Sequence, residues 1–124
     1  MRTELLCVFL GGGAGSICRY VIGSYLLKAQ TGGFPWGTLT ANVLGCLLIG
    51  LLLGWFERRG AGLGQLLLVT GFCGGFTTFS TFSNETVQFL RQGATGVALC
   101  YAGVSIGAGL LLCTAGYCLV KCGS

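Results

Sequence analysis

The sequence predicts an all-α membrane protein of four transmembrane helices, the third of them broken mid-membrane. Three observations predict it. The 124-residue chain carries only 8% charged residues, where a soluble domain carries about 25%, and its mean hydropathy is +0.83. Uncharged runs at 5–18, 29–56, 60–84 and 92–120 leave room for four spans of roughly 20 residues each, the length that crosses a bilayer. Within the third run, residues 71–85 hold three glycines, five hydroxyl residues and four phenylalanines. Gly and Thr weaken a helix relative to Ala. A break in lipid is tolerated only where the freed N–H and C=O groups face protein or a water-filled cavity. Such a break exposes backbone dipoles and hydroxyls at membrane depth, where an ion can use them.

The length suits one domain spanning 1–124. Span one is expected from about 5 to 27, with the N-terminal residues read as part of it rather than as a leader. Its Gly11-x-x-x-Gly15 pair suits close helix approach in lipid. Arg19 lies well inside the span, where a charge costs on the order of 2.5–3.5 kcal/mol on insertion scales. It has two readings: a paired or functional charge, or a side chain that snorkels to an interface or caps a neighbouring helix. Residues 28–37 form a loop with Gly32, Gly33 and Pro35 as breakers, and Phe34 and Trp36 as interfacial anchors.

Span two follows from about 38 to 56. Thr38 and Asn42 share a face, which Gly45 continues. Asn42 is either glue between helices or a donor of amide N–H groups to an anion. Span two closes with Trp55 and Glu57-Arg58-Arg59. Span three is expected from about 65 to 90 and span four from about 97 to 120, the latter with Tyr101, Ser105 and Thr114 and a second small pair, Gly103-x-x-x-Gly107. An even number of spans puts Arg2, Arg58, Arg59 and Lys121 on one side and Lys28 and Arg91 on the other. That bias is shallow, and it is compatible with insertion in both orientations. A bundle this small has little interior of its own, so a polar path calls for a second copy.

Composition also excludes several functions. Seven basic residues give a net charge of +4 but form no stripe that could track phosphates, so nucleic acid is not a partner. Asp and His are absent, and the three carboxylates Glu4, Glu57 and Glu85 cannot be drawn into a nucleophile–base pair, so the protein is not an enzyme. Eight cysteines without a C-x-x-C pair or a histidine co-ligand read as small apolar side chains. A small proton-coupled multidrug-type transporter needs a carboxylate in span one, where this chain has Arg19. A non-conducting helix-packing subunit is the structural alternative.

Arg19, Asn42 and the hydroxyls favour an anion over a cation. Phe79 and Phe82 are three apart and can line one face, and an aromatic ring has a positive edge that an anion can meet. Ser80 and Thr81 add hydroxyl donors, and Ser105 extends the same track. The alternative for Phe72, Phe76, Phe79 and Phe82 is plain packing or lipid contact.

Three motifs in order carry a resemblance that covers nearly the whole chain. Span one has Gly12-Gly13-Ala14-Gly15 followed by Arg19-Tyr20. Span two has Gly37-Thr38-Leu39 with Asn42 and Gly45. Span three has Gly71-Phe72, Gly74-Gly75 and Thr77-Thr78-Phe79-Ser80-Thr81-Phe82-Ser83. On these residues the chain resembles the Fluc (CrcB) family of fluoride channels. The resemblance implies an antiparallel, dual-topology homodimer in the cell (inner) membrane, with two pores, each lined by both subunits. It implies passive export of fluoride across the lipid bilayer. It implies a central structural sodium ion held by the backbone carbonyls of Gly74 and Thr77 of each subunit. Phe79 and Phe82 match the family's aromatic box, Asn42 the pore amide, and Ser80, Thr81 and Ser105 the hydroxyl track. Tyr101 matches a pore tyrosine and Arg19 an arginine near the mouth of the anion path. Glu85 matches an acidic residue after the box, with no role assigned. The eight cysteines, Cys73 inside the third motif among them, are not part of the family pattern.

Overall fold

The computed structural model describes residues 1–28 and 33–123. Among them every regular element is helical, and four segments are long and apolar enough to cross a membrane. The first is α1 (Arg2–Lys28) and the second α2 (Trp36–Arg59). The third, Leu63–Arg91, is assembled from α3 (Leu63–Gln65), a π-helical stretch (Leu66–Cys73), α4 (Gly74–Phe76) and α5 (Phe79–Arg91). The fourth is α6 (Thr95–Cys122). Each helix runs a few residues past the expected span ends, because the flanking polar and charged residues continue the helix into the interface, where their heads stay solvated. Of the loop expected at 28–37, Gly32 lies outside the described residues.

The interior is built from small residues rather than large apolar ones. Among the described residues the buried hydrophobic side chains are Ala41, Cys73, Phe76, Ala98 and Tyr101. Lipid offers no hydrophobic reward for bringing helices together, so association depends on close backbone approach. The α1 pair Gly11 and Gly15 meets the third segment in this way. A Cβ on Gly11 would lie 2.8 Å from Phe72 N, and one on Gly15 2.8 Å from Phe76 N. Helices α2 and α6 pack in the same fashion through Gly50, which faces the Cys113 backbone, and Gly116, where a Cβ would lie 2.7 Å from Leu47 O.

The glycines used on α6 differ from those expected. Gly103 and Gly107 are exposed, with nothing near a would-be Cβ, whereas Gly109 and Gly116 are the buried pair. Small residues at a four-residue interval mark a face that can be approached, but not which neighbour approaches it. Outside this interior, large apolar side chains such as Leu5, Phe9, Leu110 and Leu111 stand exposed along the bundle, as a lipid-solvated surface requires.

At the far end of α2, the Glu57 carboxylate accepts hydrogen bonds from Tyr117 and Lys121 of α6. Arg58 Nη1 donates to Val120 O at 3.3 Å, and the Arg59 guanidinium lies 4.6 Å from the centre of the Trp55 ring. The Glu57 and Arg58 contacts join the ends of α2 and α6, while Arg59 stacks within α2.

Candidate functional site

The site is organised by two residues that are not helical. Thr77 has φ −88° and ψ 154°, and Thr78 has φ −147° and ψ 114°, both extended. The backbone groups around them therefore need partners outside the helix. Asn42 of α2 supplies two. The Thr78 N–H donates to Asn42 Oδ1 at 2.8 Å, and Asn42 Nδ2 donates to Thr78 O at 3.1 Å. In a continuous helix the Thr78 N–H would bond the Gly74 carbonyl, and here it does not.

Helix α5 then starts under its own cap. Thr78 Oγ1 accepts from the Thr81 N–H at 3.3 Å and donates to Thr81 Oγ1 at 3.0 Å. A Thr at this position satisfies one of the free N–H groups of the first turn. The same bond withdraws the Thr81 N–H from the Thr77 carbonyl. Gly74 and Thr77 thus both lose the donor that a regular helix would give their carbonyl oxygens. Gly75 is treated differently. Its carbonyl accepts from Arg19 Nε at 3.1 Å, with Ser16 Oγ at 3.5 Å. The half-buried Arg19 is therefore a cap on the helix that ends at Phe76. Thr77 itself is anchored through its N–H and its Oγ1, which both reach Cys73 O, at 3.0 and 2.9 Å.

An open groove of about 480 Å³ runs past this point between α2, the third segment and α6. Asn42, Gly74, Thr77, Phe79, Phe82 and Ser105 all line it, together with Cys46, Thr70, Cys73, Thr78 and apolar neighbours, and among the described residues no charged side chain does. The Phe79 and Phe82 rings have centroids 5.8 Å apart at 43°, and Phe79 is 79% exposed. The Ser105 hydroxyl oxygen is buried and has no hydrogen-bond partner among the described residues. A buried polar atom left unpaired costs about 1–3 kcal/mol.

The other expected residues lie off the groove. Ser80 is exposed, 3.5 Å from Thr78 Oγ1. Arg19 and Thr81 share a smaller cavity of about 170 Å³ with Thr38 and Thr78. Tyr101 is fully buried behind the box, its ring 5.1 Å from that of Phe82 and 5.4 Å from Phe34, and its hydroxyl donates to Glu85 Oε1 at 3.0 Å. Thr38 also hydrogen-bonds this pair. Thr78, which organises both the Asn42 contact and the α5 cap, is the residue that sequence reasoning missed. Its signal was present: a Thr three residues before Thr81 at the start of an amphipathic stretch.

A site of this composition suits transfer or binding of a small ion rather than bond chemistry. Among the described residues no group of three or more His, Cys, Asp or Glu side chains is placed to hold a metal ion, and the oxygen donors beside the break are carbonyls, hydroxyls and the Asn42 amide. Comparison with known proteins agrees with this reading. A family model described as CrcB-like protein, Camphor Resistance (CrcB), matches residues 6–117. The chain is 40% identical over 123 residues to a fluoride-specific ion channel FluC of Flavobacterium psychrophilum, covering 98% of both chains. It is 47% identical over 113 residues to the protein of that name in Thermus thermophilus, covering 90% of this chain and 89% of the other. It is 48% identical over 91 residues to that of Phocaeicola vulgatus, covering 73% and 75%.

Proposed function

The chain belongs to the CrcB-like family, and from that premise we propose that it is a fluoride-selective channel that lets fluoride leave the cytoplasm passively. It is a multi-pass membrane protein and not an enzyme. The observation that carries the reading is the Ser105 hydroxyl. It is buried and, among the described residues, has no hydrogen-bond partner, and it is set beside Phe79 and Phe82 in a groove that no described charged side chain lines.

In this reading the third helix is broken mid-membrane at Thr77 and Thr78. The groove is half of a pathway, and its open side is closed by a second, antiparallel copy. Two such copies give a dual-topology homodimer with two pores in the inner membrane. A fluoride ion in the path meets the ring edges of Phe79 and Phe82, the Ser105 hydroxyl and the remaining Asn42 amide hydrogen. Ring edges and hydroxyls attract an anion without a fixed positive charge that would trap it. Ser80 and Thr81 serve at the start of α5, Tyr101 acts from behind Phe82, and Arg19 holds the helix end beside the path. A negative-inside potential drives the anion outward with about 2.3 kcal/mol per charge per 100 mV.

The Gly74 and Thr77 carbonyls fit a structural sodium ion. Both are oxygen donors of the kind a hard cation takes, and both have lost their helical N–H partners to Asn42 and to the α5 cap. Two carbonyls from each copy would share the ion, which supplies a fixed charge that joins the two breaks.

The rival carrier reading needs a carboxylate in the pathway. Glu85 instead bonds Tyr101 and does not line the groove. The deciding experiment is fluoride efflux from proteoliposomes with the proton gradient collapsed. Undiminished efflux supports the channel, and efflux that ceases with the gradient supports a coupled carrier. No efflux at all supports the non-conducting packing subunit.

A further inference from the structure

The far ends of α2 and α6 form a charged surface that the conduction reading does not use. Arg58 Nη1 donates to Val120 O at 3.3 Å, and Lys121, the next residue, donates to the carboxylate of Glu57, the residue before Arg58. Lys121 Nζ also donates to the Tyr117 hydroxyl at 3.1 Å. These bonds bring Arg58 and Lys121 to one junction. Glu57 neutralises Lys121, whereas among the described residues neither Arg58 nor Arg59 has an ion-pair partner. Both arginines are exposed, and the Arg59 guanidinium lies 4.6 Å from the centre of the Trp55 ring. The junction therefore keeps an excess of positive charge.

We propose that Arg58 and Arg59 seat the headgroup phosphate of an anionic phospholipid at this end of the bundle. A guanidinium presents a fork of N–H donors that fits a phosphate. Arg58 gives one donor to Val120 O, and the others have no partner among the described residues. That bond anchors the fork between the two helices before a ligand arrives. Arg59 adds a second positive charge, held against Trp55. Glu57 keeps Lys121 out of the seat.

The surroundings call for an anion with an apolar body. Trp55 and Leu119 are exposed and stand just before the cations on α2 and α6. Both helices are long and apolar enough to cross a membrane, and a Trp at a span end sits at headgroup level. A phospholipid covers these apolar surfaces with its acyl chains while its phosphate meets the arginines. A water-soluble phosphate meets the arginines alone. The seat lies on the single chain and is independent of what the groove conducts.

The test adds equal amounts of palmitoyl-oleoyl phosphatidylglycerol and phosphatidylcholine to the delipidated full-length protein in detergent. Native mass spectrometry then counts each bound lipid. The two share acyl chains and differ in headgroup charge. Each basic side chain near an anionic headgroup favours it by about fivefold, so wild type should prefer phosphatidylglycerol by about tenfold or more. Arg58→Gln and Arg59→Gln should each lower that preference by about fivefold, and the double variant should abolish it. Glu57→Gln should raise it by releasing Lys121, and Arg91→Gln, at the end of α5, should leave it unchanged. No preference in wild type, or an unchanged preference in the double variant, would overturn the seat. Equal loss of both lipids in Arg58→Gln would make Arg58 a tie between helices and overturn its role. A loss in Arg91→Gln as large as in Arg58→Gln would reduce the effect to general charge and overturn the seat. A preference that Glu57→Gln fails to raise would overturn the part given to Glu57. Displacement of phosphatidylglycerol by excess inorganic phosphate would overturn the lipid assignment in favour of a soluble anion.

Discussion

Asn42 holds Thr78 by both faces of its backbone, accepting from the Thr78 N–H at 2.8 Å and donating to the Thr78 carbonyl at 3.1 Å. A single side chain from α2 therefore does for Thr78 what a helix would otherwise do. It also releases the Gly74 carbonyl from its usual donor. Replacing Asn42 with Leu should leave both Thr78 groups unpaired and destabilise the protein by about 1–3 kcal/mol. Thermal unfolding in detergent checks this. Asn42→Gln, with the same amide on a longer stem, should recover little, because the two-point geometry depends on reach.

Arg19 binds the Gly75 carbonyl through Nε at 3.1 Å. A guanidinium presents that donor in a fixed plane, and an ammonium does not. Arg19→Leu should lower thermal stability and slow efflux, and Arg19→Lys should restore only part of either. If Arg19 served only as a charge near the path, Lys would restore efflux in full.

The glycine contacts separate packing within the chain from packing between chains. Gly11→Ala and Gly116→Ala force backbone apart and should each cost about 1–3 kcal/mol. Gly107 stands in open space in the single chain, so Gly107→Ala should leave the fold of the chain intact. In the proposed homodimer, a loss of dimer in Gly107→Ala, read by cross-linking in liposomes, would place Gly107 on the surface that a second copy covers.

Much of the fold was legible because lipid imposes a simple demand. Three uncharged runs of bilayer length and a fourth, shorter one that Arg19 interrupts are visible to the eye, and the helices follow them. The α1 pair Gly11 and Gly15 was legible for the same reason, since small residues at that spacing serve close approach. The site was less so. Asn42 and Thr78 are 36 residues apart, and no local pattern says that one will hold the other. Arg19 left two readings open until the Gly75 carbonyl supplied its partner. Tyr101 could be placed on a helix but not at the centre of an aromatic cluster with Phe34, Phe82 and Phe89. Within the single chain α6 packs through Gly109 and Gly116 rather than Gly103 and Gly107, because these glycines look alike in sequence and differ only in which neighbour they face.

Phe79 and Phe82 test the aromatic part of the path. Phe79→Ile and Phe82→Ile remove the ring edge while keeping much of the apolar volume. Each should reduce fluoride efflux by about tenfold or more, with the dimer intact by size-exclusion chromatography. Normal conduction in both variants would remove the rings from the pathway.

The central claim is that the uncharged groove beside Ser105 passes fluoride and discriminates against larger anions. Its most direct measurement is the efflux of fluoride and of chloride from the same proteoliposomes, each under its own outward gradient. The account predicts rapid fluoride efflux, with chloride retained as it is in protein-free vesicles. Chloride efflux comparable to that of fluoride would contradict it.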